Sequence, residues 1–380
     1  MRVCGRLARV VPGLLALAAA TGGACGSFGS AADPGSDGGS LLEGGSGDAG
    51  APGVACPPPT GPSCALGKCS VRTLYAPAAV AYPFAIATDS AYVYWLEQSK
   101  VAPTDDPYNG QGTARVLRTT RAGSSTASAE VLAKDQRWSK GFALVPPHVY
   151  WATFDGTKAG LWRVEARCTA PCTPELMTQF NARLERLVGG GSSSLFGLTE
   201  NGTVVRFAVD SSGAVGNASS LFSTDDLPGI AVTGTHVYAS SLKVPHVDRA
   251  SLDGVEVSTS WAALALTGGN DVGLTHLATD CTSLFGSHGP GGLLERVALD
   301  TRVVSPMAKL NTDPYDLAAD AKYVYVANVN GGGILAVDTT TNAVSTIADG
   351  SAFRIAVDSA GVYWGDHTNG SGGALRMLVK

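Results

Sequence analysis

Four residues able to do chemistry occupy the same place in successive copies of a repeated pattern. Arg186, His276, Asp316 and Arg354 each stand just ahead of an apolar run, in LERLV, THLAT, YDLAA and FRIAV. In the other copies that place is held by Ala85, Gly141 and Gly229. Two guanidiniums, an imidazole and a carboxylate brought to one centre would suit an anionic or hydroxylated small molecule. The three small residues are expected to leave that centre open. The plainer reading is that Arg186, Asp316 and Arg354 form ion pairs with one another or are solvated. A second group follows later in the copies: His288, Asn328, Asn330 and the adjacent pair Asp366 and His367. Together with His276 and Asp316, the last two have the carboxylate and imidazole chemistry that can hold a divalent metal.

These residues need elements to bring them together, and the repeat supplies them. A V-Y-W-like segment recurs with its first residue at Val93, Val149, Ser194, Val237, Ser283, Val324 and Val362. The steps between copies are 56, 45, 43, 46, 41 and 38 residues. Around each lie four short runs rich in β-branched and aromatic residues, separated by Gly, Pro and Asp turns, which read as antiparallel strands. The third run of most copies carries an arginine, as in RVLRT, LWRVE and VVRFA. A strand repeat near 40–50 residues predicts an all-β, seven-bladed β-propeller over residues 71–380. Six blades, with the worn third copy absorbed elsewhere, is the alternative. The seventh copy stops after its third run, whereas VRTLYA at 71–76 has the fourth-run pattern and precedes the first copy. Strand 71–76 is therefore expected to complete the last blade and close the ring.

Tyr94-Trp95, Tyr150-Trp151 and Tyr363-Trp364 resemble the YW pair of the YWTD (LDL-receptor class B) and NHL propeller repeats, and Leu252-Asp253-Gly254 resembles their third-strand LDG. The third and fifth copies depart from this with Leu-Phe, and the Thr-Asp of YWTD is absent throughout. The resemblance implies fold and says little about ligand. In such folds ligands usually bind on the face carrying the loops that enter the first strands and those joining second to third strands. The longest of the latter runs from Ser99 to Thr113, and a long loop on a rigid scaffold often carries recognition.

Ahead of the repeat the chain reads as an exported protein. Residues 1–24 have a positive start (Arg2, Arg6, Arg9) and a short apolar core from Val10 to Ala20, as in a signal peptide. TGGAC then resembles a bacterial lipobox, which implies lipidation at Cys25, although Gly22 stands where a Leu is usual. Residues 25–55 form a tether: 22 of the 30 after Cys25 are Gly, Ala, Ser or Pro, too few apolar groups to offset the entropy of ordering. A cysteine-containing lead-in segment, 56–70, follows. Cys168 and Cys172 are expected to form a local disulfide, while Cys56, Cys64, Cys69 and Cys281 admit three pairings. The absence of any C-x-x-C argues against zinc at these cysteines.

The chain carries 27 Lys and Arg against 32 Asp and Glu, a net charge of −5, without a basic run, which argues against a nucleic-acid partner. No G-x-S-x-G, H-E-x-x-H or Walker motif occurs. The expected protein is a monomeric, lipid-anchored propeller of the cell envelope. It is read as a binding or interaction module for an envelope protein or small ligand, touching the membrane only through its lipid. It needs no cofactor, and Arg186, His276, Asp316, Arg354, Asp366 and His367 are its candidate ligand-binding residues. The alternative is an exported lactonase- or lyase-like enzyme with a divalent metal held by His276, Asp316 and Asp366 or His367 at the channel mouth.

Overall fold

Short alternating segments cut by tight turns fold into strands alone: the described residues form 28 strands and no helix. The computed structural model describes residues 70–380 apart from 77–80, 100–112, 123–128, 138, 155, 157, 225–228, 242, 265–272, 289–291, 330–331 and 368–372. The signal segment, the tether with Cys25, nearly all of the lead-in segment, Asn330 and the long loop after Ser99 lie outside them.

The strands make seven four-stranded antiparallel sheets. Their first strands are Ala81–Thr88, Ser139–Val145, Leu184–Gly189, Ile230–Val232, Leu274–Thr279, Pro314–Ala319 and Ala352–Val357, in blades 1 to 7. Neighbouring first strands touch all the way round, so the sheets form a closed seven-bladed β-propeller. The third copy builds a complete blade of its own, from Leu184 to Ser223, which removes the six-bladed alternative. Blade 7 is finished by Val71–Tyr75, which pairs antiparallel with Ala374–Val379 in the register Val71 with Leu378 and Thr73 with Arg376. The ring is thus closed by the strand expected to close it, and no blade is left with a missing outer strand.

The second-strand aromatics hold neighbouring blades together. Tyr94, Trp95, Tyr150, Trp151, Tyr363 and Trp364 are buried, as are Phe196 and Phe285 in the two copies with Leu-Phe. Trp95 packs with Leu74 and Tyr363, joining blade 1 to the closing strand. Full burial of such side chains contributes roughly 1.5–3 kcal/mol each.

Two polar ties reinforce the stack. In blades 1, 6 and 7, an aspartate in the turn between first and second strands accepts backbone N–H groups of its own turn and the hydroxyl of the second-strand tyrosine. Asp89 takes Ala91 N, Tyr92 N and Tyr94 Oη at 2.7, 2.8 and 2.9 Å. Asp320 takes Lys322 N, Tyr323 N and Tyr325 Oη at 2.9, 2.8 and 3.0 Å. Each aspartate also meets a cation from the next blade: Arg167 on Asp89, Lys380 on Asp320 and Arg121 on Asp358. The second tie uses the third-strand arginines. Arg118 donates to Ala166 O and Cys168 O, Arg163 to Ser212 O and Arg206 to Leu252 O, in each case reaching the following blade. The turn received by Arg118 is the one closed by the Cys168–Cys172 disulfide, whose Cα atoms are 6.0 Å apart. Cys281 is disulfide-bonded as well.

Candidate functional site

The side chains that face the channel are set by a repeated irregularity. In blades 1, 3, 5 and 6 the pairing of first and second strands slips just ahead of the shared slot, between Pro83 and Ala85, Leu184 and Arg186, Leu274 and His276, and Pro314 and Asp316. Blades 2 and 7 slip over two residues, between Ser139 and Phe142 and between Ala352 and Ile355. A bulge of this kind re-aims the side chain that follows it. Of the slot residues, Ala85, Arg186, Asp316 and Arg354 line the channel, and the residue before each of them does not.

The channel encloses about 750 Å³. Its wall is largely aliphatic, with Ala85, Leu187, Leu277, Leu317 and Ile355 among the lining residues. Arg186, Asp316 and Arg354 line it together with Lys140. Arg186 Nη1 donates to Asp316 Oδ1 at 2.8 Å, and Arg354 Nη1 lies 3.7 Å from the same oxygen. Asp316 Oδ2 accepts the Ile355 backbone N–H at 3.2 Å. Blades 3 and 6 stand on opposite sides of a seven-membered ring, so the Arg186–Asp316 salt bridge crosses the channel.

The electrostatics follow from burial and these neighbours. Burial works to raise the Asp316 carboxyl, but Arg186 and Arg354 outweigh it and hold the group below the usual carboxylate range. Arg354 is lowered to about 10, first by burial and then by the adjacent Arg186, so it remains charged at neutral pH. His276 lies deep in the body of the protein, although part of its surface is open. Burial, then Arg186, pushes it down to about 3 against the pull of Asp316. It is therefore a neutral imidazole, with Nδ1 3.4 Å from Ser287 Oγ. The set of Arg186, Arg354 and Asp316 carries one net positive charge. Arg354 is 7% exposed, and its Nη1 is buried without a hydrogen-bond partner among the described residues.

The other two candidates are placed differently. Asp366 is the last residue of a second strand, buried and ion-paired with Arg376 at 2.5 Å. His367 follows it, buried, with Nε2 3.0 Å from Pro83 O and its ring stacked on Tyr82 at 4.9 Å. Burial lowers His367 to about 4. His288 and Asn328 likewise end second strands and are buried. His367 is thus the first residue past its strand, whereas His288, Asn328 and Asp366 close their second strands and do not lie in the loops beyond. Their side chains face the third strand: Asn328 donates to Gly333 O at 3.1 Å, and His288 lies 3.1 Å from Glu295. Among the described residues no three of His, Cys, Asp and Glu form a group able to hold a metal ion.

A second correction concerns the small slot residues. A Cβ on Gly229 would lie 2.5 Å from Leu277 N, and one on Gly141 would lie 3.1 Å from Leu187 Cβ. These glycines admit the neighbouring first strand; they do not widen the opening. Sequence reasoning also missed the bulged residues. Tyr315 and Phe353 join His276 and His367 in a run of ring contacts continued by Tyr82, at centroid distances of 5.9, 4.7, 4.3 and 4.9 Å. The Arg354 guanidinium sits 5.3 Å from the Phe84 ring centre and 5.7 Å from that of Tyr315. Nothing in the sequence marks these residues, since each reads as an ordinary strand entry.

Comparison with known proteins bears on the fold. No family of sequences matches the chain, and no curated protein does. Among solved structures, the WD40 β-propeller domain of Doa1 aligns with a TM-score of 0.58 at 12% identity, over 82% of this chain and 97% of that one. The β-propeller domain of the Trilobed protease from Pyrococcus furiosus, described as having an open velcro topology, aligns with a TM-score of 0.55 at 10% identity, over 80% and 94%. The Nidogen/Laminin complex aligns at 0.44 and 15% identity, over 62% and 89%, too low a likeness to build on. These are similarities of fold: the chain is a β-propeller, and within that class its chemistry rests on its own channel.

Proposed function

We propose that this is an exported, lipid-anchored β-propeller that serves as a binding module of the cell envelope, with the central channel as its ligand site. One observation carries the reading: an aliphatic channel of about 750 Å³ with a charged cluster set across it. That volume falls within the roughly 300–1,000 Å³ of small-molecule pockets, and apolar walls with a few placed polar groups are their usual lining. The sequence supports the address, through the signal-like segment, the Cys25 lipobox resemblance and the tether, which as a coil would reach roughly 30 Å. A metal-dependent hydrolase or lyase needs His276 and Asp316 to meet Asp366 or His367. Asp366 instead pairs with Arg376, and His367 with the Pro83 carbonyl.

Two experiments test the reading. Radiolabelled palmitate supplied to a bacterial host should be incorporated into the full chain and not into Cys25→Ser. The purified protein should bind the neutral fluorescent probe N-phenyl-1-naphthylamine, and Ala87→Trp, which fills the channel from its wall, should abolish the signal. Equal fluorescence from Ala87→Trp would place the probe elsewhere and remove the channel as the site.

A further inference from the structure

We infer that the channel takes a small monoanionic carboxylate with an apolar body, its head group received by Arg354. The inference deepens the channel reading above and rests on it.

Three features of the site argue for it. The first is charge. Asp89, which also lines the channel, is met by Arg167, and Arg186, Arg354 and Asp316 leave one positive charge over. His276, a neutral imidazole, neither adds to it nor removes it. Lys140 is answered by Glu185 at 2.6 Å. A single negative charge on the ligand restores neutrality, whereas a dianion would overshoot and a cation would add to the excess.

The second is an unmet donor. Arg186 is already committed to Asp316 at 2.8 Å. Arg354 Nη1 is buried and lacks a hydrogen-bond partner among the described residues. Asp316 Oδ1 is 3.7 Å away, beyond a hydrogen bond, and Glu185 acts on Arg354 only through its charge. Leaving a buried charged donor unmet is costly, and Arg354 lines the channel and keeps some accessible surface there, where an anion could meet the guanidinium. The guanidinium is also held in place by the rings of Phe84 and Tyr315, so little ordering remains to be done on binding.

The third is the wall. Ala85, Ile230, Leu187, Leu277, Leu317 and Ile355 offer a surface that a hydrated polar body would not match and an aliphatic or aromatic body would. Asp316 itself shows that a planar carboxylate fits between two guanidiniums here, which favours a carboxylate head over a tetrahedral oxyanion.

The experiment uses the purified protein and four probes of equal chain length: octanoate, octanamide, octyl phosphate and octylammonium. Binding is read by calorimetry and by displacement of N-phenyl-1-naphthylamine. Octanoate should bind about tenfold or more tighter than octanamide, the difference a charge-assisted hydrogen bond makes. In Arg354→Gln octanoate should bind no tighter than octanamide binds to the same variant, and Arg354→Lys should keep part of the preference. Asp316→Asn, which removes the resident negative charge, should tighten octanoate binding. Equal affinity for octanoate and octanamide in the wild-type protein would overturn the anion assignment, and this comparison needs no variant to fold. Tighter binding of octyl phosphate would overturn the carboxylate assignment. The neutral probe separates the two proposals: if it enters and octanoate fails to displace it, the carboxylate reading falls and the channel stands. If neither binds, both fall.

Discussion

His276 and His367 are imidazoles that folding keeps neutral, and this gives the protein a defined acid sensitivity. Folded, they take up protons only near pH 3 and 4. In the unfolded chain both do so near the ordinary value of about 6.5. Between these limits the unfolded state holds more protons, so stability is present above about pH 6.5 and is lost as pH falls. The double variant His276→Gln, His367→Gln should therefore show a smaller drop in melting temperature between pH 7 and pH 4.5 than the wild type, by a few degrees. An unchanged drop would mean that neither ring is held neutral. At the same scale, Gly229→Ala should destabilise by about 1–3 kcal/mol, because its Cβ would press on the blade 5 backbone at Leu277. A chemical denaturation midpoint reads this directly. The slot residues Arg186, His276, Asp316 and Arg354 were legible as a set because the repeat puts them in one register. Gly229 and Gly141 were misread because a sequence shows that a residue is small, not what presses against it.

At the scale of elements, the ties between blades differ in strength by their burial. The Lys380–Asp320 pair is enclosed, with side chains 2% and 0% exposed, whereas Arg167 on Asp89 is 59% exposed. Lys380→Met leaves Asp320 charged, buried and short of its cation, and should cost about 3–5 kcal/mol. Arg167→Ala should cost under about 1 kcal/mol, as solvent and salt already screen that pair. Urea denaturation of both variants checks the contrast, and equal losses would contradict it. The strands that carry these ties were legible from alternation and turn residues. The bulges were not. A bulge shows in sequence as one residue too many in a period of two, and Glu185, Tyr315 and Phe353 read without coordinates as ordinary strand entries. The candidate site depends on them, since they aim Arg186, Asp316 and Arg354 at the axis.

For the molecule as a whole, closure rests on five residues contributed from the far end of the fold. Leu74, fully buried, packs with Trp95, Leu117 and Tyr363 across the seam between blades 7 and 1. Leu74→Asp puts a carboxylate there and should abolish cooperative thermal unfolding, while Arg72→Asp, at an exposed position on the same strand, should leave it nearly intact. A cooperative melt in Leu74→Asp would show that the ring stays closed without this strand. The seven blades and the seam were readable because self-similarity marks every blade and the shortfall at the end of the seventh copy has one matching piece. The link between blades 3 and 6 was readable only as one of two options, ion pairing or solvation of Arg186, Asp316 and Arg354, because Arg186 and Asp316 are 130 residues apart and nothing in either copy chooses the partner. That link has a mechanical meaning. A hoop of seven segments, each fastened only to its neighbours, deforms most easily by becoming oval. A strut across the diameter stiffens the hoop against that motion, and makes two segments on opposite sides move as one. Arg186→Ala should thus raise hydrogen exchange in the first strands of blades 3 and 6 together, with the blades beside them less affected.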